Sequence, residues 1–498
     1  MKKSISINLL LFVGLLLYNF LFWGEKMGLN ILIFSSFMVG SLFYLHPESR
    51  QSKSALVTGV GTIITAILVV GVNSSLVKTV HFLSMITFAG FVQQHELRFI
   101  FYAFLLTMIN IFKTPINLLR QVKEAFSETN LLSKNWAYGL NLYILPGAIL
   151  SIFYFIYYKA NPKFADLSNT FWSTISNLFH WDISLERTFF LVIGFFLIGG
   201  LMTISSIKWF KEKQAKKEYD LKRVRNKMAG QISTHSMIGL KSEYKSGLLL
   251  FISLNTLLFI VNLIDIIYVW FSPAPEGPLA LKIYVHEGTY LLILAILLAM
   301  GIILVLFRKN INFIPNNDKL QKLAYFWLAQ SVILAFSVGM RNFRYIEFCG
   351  LAYKRIGVFI FLILTFYGLK TMHEKISEKK TLHHVIHKNA WVLYLTLIAA
   401  SCINWDVFIT KYNITADVKY GLDVHFIIND VSDKNLYLLL ENKDHILKEE
   451  KEEAKKKYNF EQLIQNKKNF FLQKQARYSW LSWNLPDWKN RRKLEFQK

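Results

Sequence analysis

Residues 288–307 read GTYLLILAILLAMGIILVLF and contain no charged side chain. Because an α-helix rises about 1.5 Å per residue, a helix of this length extends over ~30 Å, the thickness of the hydrocarbon core of a bilayer. Backbone N–H and C=O groups cannot pair with water at that depth, so a segment that crosses it must be helical. The stretch therefore predicts a transmembrane helix.

Comparable apolar blocks recur along the chain, and aromatic residues crowd their ends, as they do at membrane interfaces. The blocks predict an all-α integral membrane protein with about 12 transmembrane helices. They lie at 4–23, 28–45, 54–72, 75–92, 97–112, 138–159, 187–210, 246–271, 288–307, 323–340, 356–372 and 389–410. The first block follows Lys2 and Lys3 and resembles a signal peptide, but no small-residue cleavage site follows it. We therefore expect it to be retained as a helix.

The composition excludes a soluble multidomain enzyme. Hydrophobic residues make up 53% of the chain and charged residues 18%, whereas soluble proteins carry roughly a quarter charged residues. The net charge of +24 is expected to reflect basic loops beside anionic lipid, and nucleic-acid binding is not predicted. Two cysteines, Cys349 and Cys402, are too few for a disulfide framework or a thiolate metal site.

The basic loops predict an orientation. Loop 211–227 holds eight Lys and Arg residues against three acidic residues, so the positive-inside rule places it in the cytoplasm. Counting helices from it puts the basic loops 113–136, 308–322 and 373–388 on the same side. Twelve spans then leave the N-terminus outside, although its two lysines favour the cytoplasm. Either this weak preference is overridden or one early segment does not span.

The composition changes after Thr410, where the predicted bundle of residues 1–410 ends. Residues 411–498 are rich in charge and include the run KEEKEEAKKKY, which favours a solvated helix, so they predict a small soluble C-terminal domain. The helix count places this domain outside, in the periplasm of a bacterial cell. Residues 161–186 also lie outside and predict a helix on the membrane surface.

One carboxylate lies within an apolar block. Asp265, in LNTLLFIVNLIDIIYVWF, shares roughly one helical face with Asn262 and Asn255. A charge at the centre of a membrane helix costs ~2.5–3.5 kcal/mol, so it usually has a partner or a function. Either Asp265 is hydrated near the outer end with the asparagines joining helices, or it lines a polar cavity. We expect it to face the protein interior, with Tyr268 or the arginines of the 341–355 turn as donors.

Other polar residues fall on the same predicted outer side. The loop YVHEGTY places Tyr284, His286 and Glu287 before a helix that begins near Gly288, and Glu287 either caps this helix or belongs to a site. The segment RNFRYIEFCGLAYKR is either a set of interfacial anchors or a site for an anion, a headgroup or an acidic partner. We expect Arg341, Glu347 and Glu287 to form one network. The candidate surface comprises Asp265, Tyr284, His286, Glu287, Gln330, Arg341, Arg344, Tyr345, Glu347, Asn404 and Asp406.

No sequence motif predicts a cofactor or a metal. Membrane hydroxylases bind iron with several histidine clusters, and this chain has one, HHVIH, in which His383 and His387 could share a helix face and bind a metal. The chain contains no GxSxG, HExxH, GxxxxGK[ST] or EF-hand pattern. An enzyme is therefore not the favoured interpretation.

Two stretches carry a family resemblance: KLAYFWLAQSVILAFSVGMRNFRYIEFCGLAYKR and INWDVFITKYNI. They resemble bacterial membrane proteins of domain-of-unknown-function family 4173 and its relative, family 4153. The chain departs from the family at Cys349, where the family has tyrosine, and at Ala352, where it has threonine. LPGAILSIFYFIYYKANPKFADL, YVHEGTYLLILAILL, LDVHFIIND and SWNL are further similar stretches. The matching positions are Gln330, Arg341, Tyr345, Glu347, Gly350, Leu351, Arg355, Asn404, Asp406, Ile409 and Asn413.

The resemblance implies a multi-pass protein of the bacterial inner membrane and no particular activity. Together with the polar residues, it favours an uncharacterised membrane protein whose outward polar surface binds a partner or a small anionic ligand. A secondary transporter is one alternative. A second is an intramembrane enzyme with His286 and Glu287 as acid and base and Arg341 as an anion clamp. A structural or assembly role is the third, and it would leave the outward polar groups paired only with one another.

Overall fold

A computed structural model describes most of the chain, and its residues divide into two compact units. The first unit is Met1–Gln214 with Gln475–Trp488, and the second is Ala215–Lys474 with Lys489–Lys498. The described residues are 2–127, 150, 153–154, 157–158, 160–179, 185–203, 209–210, 212, 219–223, 237–271, 278–315, 317–448 and 459–495. Of these, 2–6, 119–127, 174–179, 185, 237–239, 278–288 and 309 are described by their backbone alone.

Among the residues that the structure describes, seven helices of the first unit precede residue 203. They are α1 (Lys2–Phe22), α2 (Leu29–Leu45), α3 (Lys53–Gly71), α4 (Ser75–Gln93), α5 (Ile100–Ser127), α6 (Pro162–Phe179) and α7 (Leu185–Met202). Polar residues within these apolar helices bond to neighbouring helices, which joins helices where water is absent. The His81 ring of α4 lies 3.1 Å from both Ser35 Oγ of α2 and Thr65 Oγ1 of α3. Gln93 donates to the carbonyl oxygens of Gly200 and Leu201 in α7 at 2.7 and 2.9 Å.

The second unit begins with a bundle of long helices. They are α8 (Met237–Asp265), α9 (Pro278–Leu306), α10 (Asp318–Cys349), α11 (Tyr353–Ser377), α12 (Leu382–Ser401) and α13 (Trp405–Thr415). α10 packs against α8, α9 and α11, and α11 also packs against α12. Phe251, Ile303, Phe307 and Leu320 are fully buried in the core of this bundle. α10 is therefore the central helix of the unit.

Seven described helical segments are long and apolar enough to cross a membrane, and they lie in α3, α4, α5, α8, α9, α10 and α11. α12 and α13 form a pair bent by 60° that would make an eighth span. The shorter apolar helices Ile7–Phe22 and Leu29–Leu45 fall in α1 and α2. The described residues contain no β-strand, so the predicted all-helical, membrane-like class is confirmed. The predicted number of 12 spans is not.

Three of the predicted cytoplasmic loops contact one another at one end of the second unit, here called the basic end. Lys380 Nζ lies 2.7 Å from Asp220 Oδ1, which joins loop 211–227 to loop 373–388. Lys379 Nζ lies 5.0 Å above the centroid of the Phe313 ring in loop 308–322. The described parts of these loops thus share one end, as the sequence predicts.

The C-terminal residues continue with α14 (Leu436–Glu441), α15 (Lys443–Lys448), α16 (Phe460–Gln475) and α17 (Leu485–Glu495). Ile414, Ile427, Leu439 and Ile464 share one apolar core. Val431 packs with Ile346 and Ile356 at the ends of α10 and α11. The predicted soluble domain of residues 411–498 is not confirmed, because its described residues divide between the two units. Most of the charged run 448–458 lies outside the described residues.

Lys467 of α16 lies in this C-terminal core. Its ammonium group donates to the carbonyl oxygens of Ile428 and Val431 at 2.7 and 2.8 Å. Burial lowers the pKa of Lys467 to about 8, although the negative charges of Asp433 and Asp406 act to raise it. The positive charge therefore costs stability at neutral pH.

This cost predicts a pH dependence. Because the pKa of Lys467 is lower in the folded than in the unfolded chain, the unfolded chain binds more protons between about pH 8 and the ordinary lysine value of 10.5. The free energy of unfolding should therefore rise over this range, by on the order of 2 kcal/mol after allowance for partial exposure. Lys467→Met should abolish the rise in detergent melts, and Lys468→Met on the same helix should retain it. Equal pH profiles for the two variants would contradict the burial of Lys467.

Candidate functional site

A row of polar side chains joins α8 to α10 and is here called the polar seam: Asn255, Asn262, Asp265, Gln330 and Arg341. The three α8 residues are spaced by seven and three positions, so they lie on one face of the helix. Gln330 Nε2 donates to Asn255 Oδ1 at 2.7 Å, and Asn262 Nδ2 donates to the Gln330 carbonyl oxygen at 3.1 Å. Arg341 donates to Asp265 Oδ1. The seam therefore includes a charged pair between two helices that are long and apolar enough to cross a membrane.

This ion pair is buried. The Asp265 side chain is 5% exposed and that of Arg341 11%. Asp265 faces the protein interior, as its apolar sequence context predicts, and a buried ion pair is found in place of a hydrated carboxylate. Tyr268, considered as a donor, is 65% exposed and points away from the core. Each charge is held in a medium of low polarity by the other, which is the usual condition for burying either.

α8 continues beyond Asp265 into a π-helical turn, Ile266–Trp270. Such a turn inserts one residue into the helix and changes the direction of the side chains that follow. The Trp270 indole donates to Ser337 Oγ at 3.1 Å, and the Trp270 carbonyl oxygen accepts from Arg344 at 2.9 Å. A guanidinium group at a helix C-terminus is also attracted by the negative end of the helix dipole. Arg344 is thereby held, like Arg341, at the contact between α8 and α10.

The turn after α10 depends on a glycine and an asparagine. Gly350 has a φ of 77°, and a Cβ atom there would lie 2.7 Å from Asn413 Oδ1. Asn413 of α13 accepts from the Leu351 N–H at 2.6 Å and donates to the Leu351 carbonyl oxygen at 2.9 Å. The asparagine side chain therefore supplies the hydrogen bonds that no backbone group provides to Leu351 at this turn. At position 350, only glycine fits without strain.

Arg355 and Tyr345 lie on the other side of this turn. The Arg355 guanidinium group stacks 4.2 Å from the centroid of the Tyr345 ring and donates to the Cys349 carbonyl oxygen at 2.9 Å. Glu347, by contrast, points outward and pairs with Lys419 at 2.9 Å. The predicted network of Arg341, Glu347 and Glu287 stays a prediction, because the side chain of Glu287 lies outside the described residues.

Asp406 forms the centre of a second cluster. It is 5% exposed and accepts hydrogen bonds from the Tyr353 hydroxyl of α11 and from Ser432 Oγ. Asn404 caps α13, because its Oδ1 accepts from the Val407 N–H at 3.3 Å. Of these two predicted residues, Asp406 holds α13 against the start of α11 through Tyr353.

Tyr284, His286 and Glu287 lie within α9, which begins at Pro278, and their side chains are outside the described residues. The prediction of a loop that ends near Gly288 is thus wrong. Proline is favoured in the first turn of a helix, and the residues after it are mostly good helix formers. Capping of a helix at position 288 by Glu287 is excluded by this boundary.

A polar cavity of about 250 Å³ opens beside the Gly350 turn. Residues 413–418 with Gly421, Leu422 and His445 line it, and the His445 ring lies 3.2 Å from the Ile414 carbonyl oxygen. Lys354 and Lys411, on α11 and α13, are exposed. This region of the second unit, residues 341–355 and 404–422, is called the polar end below.

The sequence analysis missed a contact in the first unit between residues 25–28 and 479–487, here called the terminal clasp. The Glu25 carboxylate accepts from the Ser479 N–H at 3.0 Å and from the Ser482 hydroxyl. Burial alone would raise the pKa of Glu25, but these hydrogen bonds hold it below its ordinary value. Lys26 pairs with Asp487 at 2.5 Å, and a Cβ atom on Gly28 would lie 2.5 Å from the Ser482 carbonyl oxygen. The clasp includes the SWNL stretch noted in the sequence, which does not by itself indicate residues 25–28 as its partner.

The histidine cluster has no metal-binding geometry among the residues described. The rings of His383 and His387 are 6.3 Å apart, and both contact the Tyr219 ring. No group of three or more His, Cys, Asp or Glu side chains in the described residues could hold a metal ion.

The ion pair predicts a coupling between two substitutions. Asp265→Leu should lower the free energy of unfolding by ~3–5 kcal/mol, because it leaves a buried guanidinium group without its carboxylate. The double substitution Asp265→Leu with Arg341→Leu should cost much less than the sum of the single ones. Asp318→Leu, at the exposed start of α10, is the control and should change stability by less than ~0.5 kcal/mol. Unfolding in mixed detergent micelles measures the stability of the two single variants, the double variant and the control. If the losses of the two single variants add up in the double variant, the two residues do not interact.

Comparison with known proteins gives one match. A family model described as domain of unknown function, DUF4153, matches residues 33–442, more than four-fifths of the chain. The match covers the polar seam and the polar end, and it does not show the other family of the resemblance, 4173. No curated protein and no solved structure matches the chain. On the extent of the match, the chain belongs to the DUF4153 family.

Proposed function

We propose that this chain is a multi-pass protein of the bacterial inner membrane that binds an anionic group at its polar end. The observation that supports this most strongly is the exposure of two lysines, Lys354 and Lys411, on helices that a buried group holds in place. That group is the carboxylate of Asp406, which accepts hydrogen bonds from two hydroxyl groups. The bonds Asp406–Tyr353 and Asn413–Leu351 hold the helices that carry these lysines together. Two cations on fixed elements attract an anion at little entropic cost.

The anionic group belongs to a small ligand or to the acidic segment of an envelope partner. The neighbouring cavity of about 250 Å³ is polar and offers backbone groups and His445 as further contacts. Rim charges of this kind act mainly on the rate and salt dependence of binding. Binding at the polar end should therefore weaken as salt approaches ~0.1 M, where the screening length is about 10 Å.

An intramembrane enzyme is the weaker interpretation. It requires Arg341 as an anion clamp, and the Arg341 guanidinium group is paired with Asp265. A substrate anion would have to displace that carboxylate and leave it buried without its partner, which is costly.

Secondary transport is a second candidate, and one observation favours it. Asp265 Oδ2, Asn262 Oδ1 and Gln330 Oε1 are buried and have no hydrogen-bond partner among the described residues. Buried acceptors of this kind are satisfied by water or by a cation. Proteoliposomes with a pH-sensitive dye inside would test it: transport predicts a proton flux that Asp265→Asn abolishes, and no flux from the unmodified protein would exclude proton coupling.

We also propose the finer topology, with residues 411–498 in the periplasm and the basic end in the cytoplasm. Because the terminal clasp joins residues 25–28 to residues 479–487, both would lie on the periplasmic side, and the N-terminus would be cytoplasmic, as Lys2 and Lys3 favour. Eleven spans satisfy this placement: α1, α2 and α7 would supply those beyond the seven and the bent pair, and block 138–159, most of which lies outside the described residues, would not cross. The placement follows from the positive-inside rule applied to the loops of the basic end.

Thiol labelling tests this topology. In a background with Cys349 and Cys402 replaced by serine, Lys411→Cys should react with an impermeant reagent in intact cells. Asp220→Cys should react only after permeabilisation, because it lies at the basic end. Equal labelling of the two positions in intact cells would refute the assignment.

Titration of the purified protein with inorganic phosphate, an oligoglutamate peptide and nanodiscs of anionic lipid tests the proposed binding. At least one probe should bind, and Lys354→Gln with Lys411→Gln should weaken it at least fivefold. Lys319→Gln with Lys322→Gln removes two exposed lysines from the opposite end of α10 and serves as the control. Which probe binds distinguishes a ligand from an acidic partner or a lipid headgroup. An equal effect of both pairs, or binding of none of the probes, would refute the proposal.

A further inference from the structure

The first unit contains a cavity of about 330 Å³ between α1, α2, α4, α5 and α7. Its lining is largely apolar and aromatic and includes Phe22, Phe34, Ile86, Ile111 and Leu197. This volume lies at the lower end of the range for ligand pockets, which is about 300–1,000 Å³. The cavity is separate from the polar seam and the polar end, which belong to the second unit.

The polar residues of this cavity are few. Glu25 lies in the connection between α1 and α2, and Lys78 lies in the first turn of α4. His81 is one turn further along α4, and both its ring nitrogens are already engaged, by Ser35 and Thr65. α4 is a candidate membrane span, so its first turn is at the depth of the membrane interface. The cavity thus has charge near one end and apolar walls along the rest.

The two charges are not equivalent. The Glu25 carboxylate already accepts hydrogen bonds from Ser479 and Ser482 in the terminal clasp. The Lys78 side chain carries an ammonium group with three N–H donors, which can bind an anion in addition to a protein group. The chemistry that matches this arrangement is an anionic head beside Lys78 and a hydrocarbon chain along the apolar walls.

We propose that this cavity binds one acyl chain of an anionic phospholipid, with the lipid phosphate beside Lys78. The membrane supplies this occupant at high concentration, and apolar helices of the first unit surround the cavity. In the clasp, the Glu25 carboxylate is occupied by hydrogen bonds from Ser479 and Ser482. A bound acyl chain would add dispersion contacts to side chains of the five helices that line the cavity.

Photolabelling in nanodiscs tests the acyl chain. The full-length protein is reconstituted with phosphatidylglycerol that carries a diazirine on its acyl chain, and labelled residues are mapped by mass spectrometry. Labels should appear on cavity residues of α4 and α7. Leu197→Trp fills the cavity and should reduce these labels at least fivefold, whereas Ile193→Trp, on the same helix but exposed, should not.

The same assay tests the phosphate. Lys78→Gln should reduce labelling by the anionic probe more than labelling by a zwitterionic one, and Lys53→Gln, at the exposed start of α3, should affect neither. Equal effects of Leu197→Trp and Ile193→Trp would mean that only lipid around the protein is labelled, which overturns the proposal. If the cavity variant does not fold, the unmodified protein still decides: an absence of labels on cavity residues refutes it.

Discussion

The contact between Asp265 and Arg341 is the constraint on which the second unit depends. Either charge alone within a membrane-spanning helix would cost ~2.5–3.5 kcal/mol on insertion scales. Together they are tolerated, because each neutralises the other where no water is present to do so. Since one residue is on α8 and the other on α10, the pair brings these helices together at one position along their length. The amides of Asn255, Asn262 and Gln330 then form bonds that require the same alignment.

This alignment extends to the end of α10. Arg344 binds the carbonyl oxygen at the end of α8, so the last turns of α10 cannot rotate independently. The Gly350 turn follows directly, and Asn413 binds both backbone groups of Leu351. Asp406 and Tyr353 then hold α13 to α11. A chain of contacts thus runs from a charge pair between two helices to the two lysines proposed to bind an anion.

Much of this arrangement is predictable from local sequence. An isolated carboxylate among isoleucines has to face a partner, so the inward direction of Asp265 follows from the cost of charge in lipid. The basic residues of three loops place them at one end. From the sequence, the partner of Asp265 could be limited only to the arginines of the 341–355 turn. Which residue of α10 faces Asp265 depends on how the two helices pack, and local sequence does not give that. The beginning of α9 was misplaced, because polar residues within 278–288 resembled a loop although their helix propensity is high.

The terminal clasp was beyond prediction for a different reason. Glu25 and Ser482 are more than 450 residues apart, and no periodicity links a loop near the start of the chain to a turn near its end. The expected soluble domain rested on charge content alone. Charge content indicates which surfaces meet water, but it does not say that Val431 packs on the ends of α10 and α11.

An experimental map of the protein in lipid nanodiscs, obtained by electron cryomicroscopy, would test the central claim most directly. The account predicts that the carboxylate of Asp265 and the guanidinium group of Arg341 lie within hydrogen-bonding distance between α8 and α10. It would be contradicted by a map in which Arg341 points toward the headgroup region and Asp265 faces water or lipid.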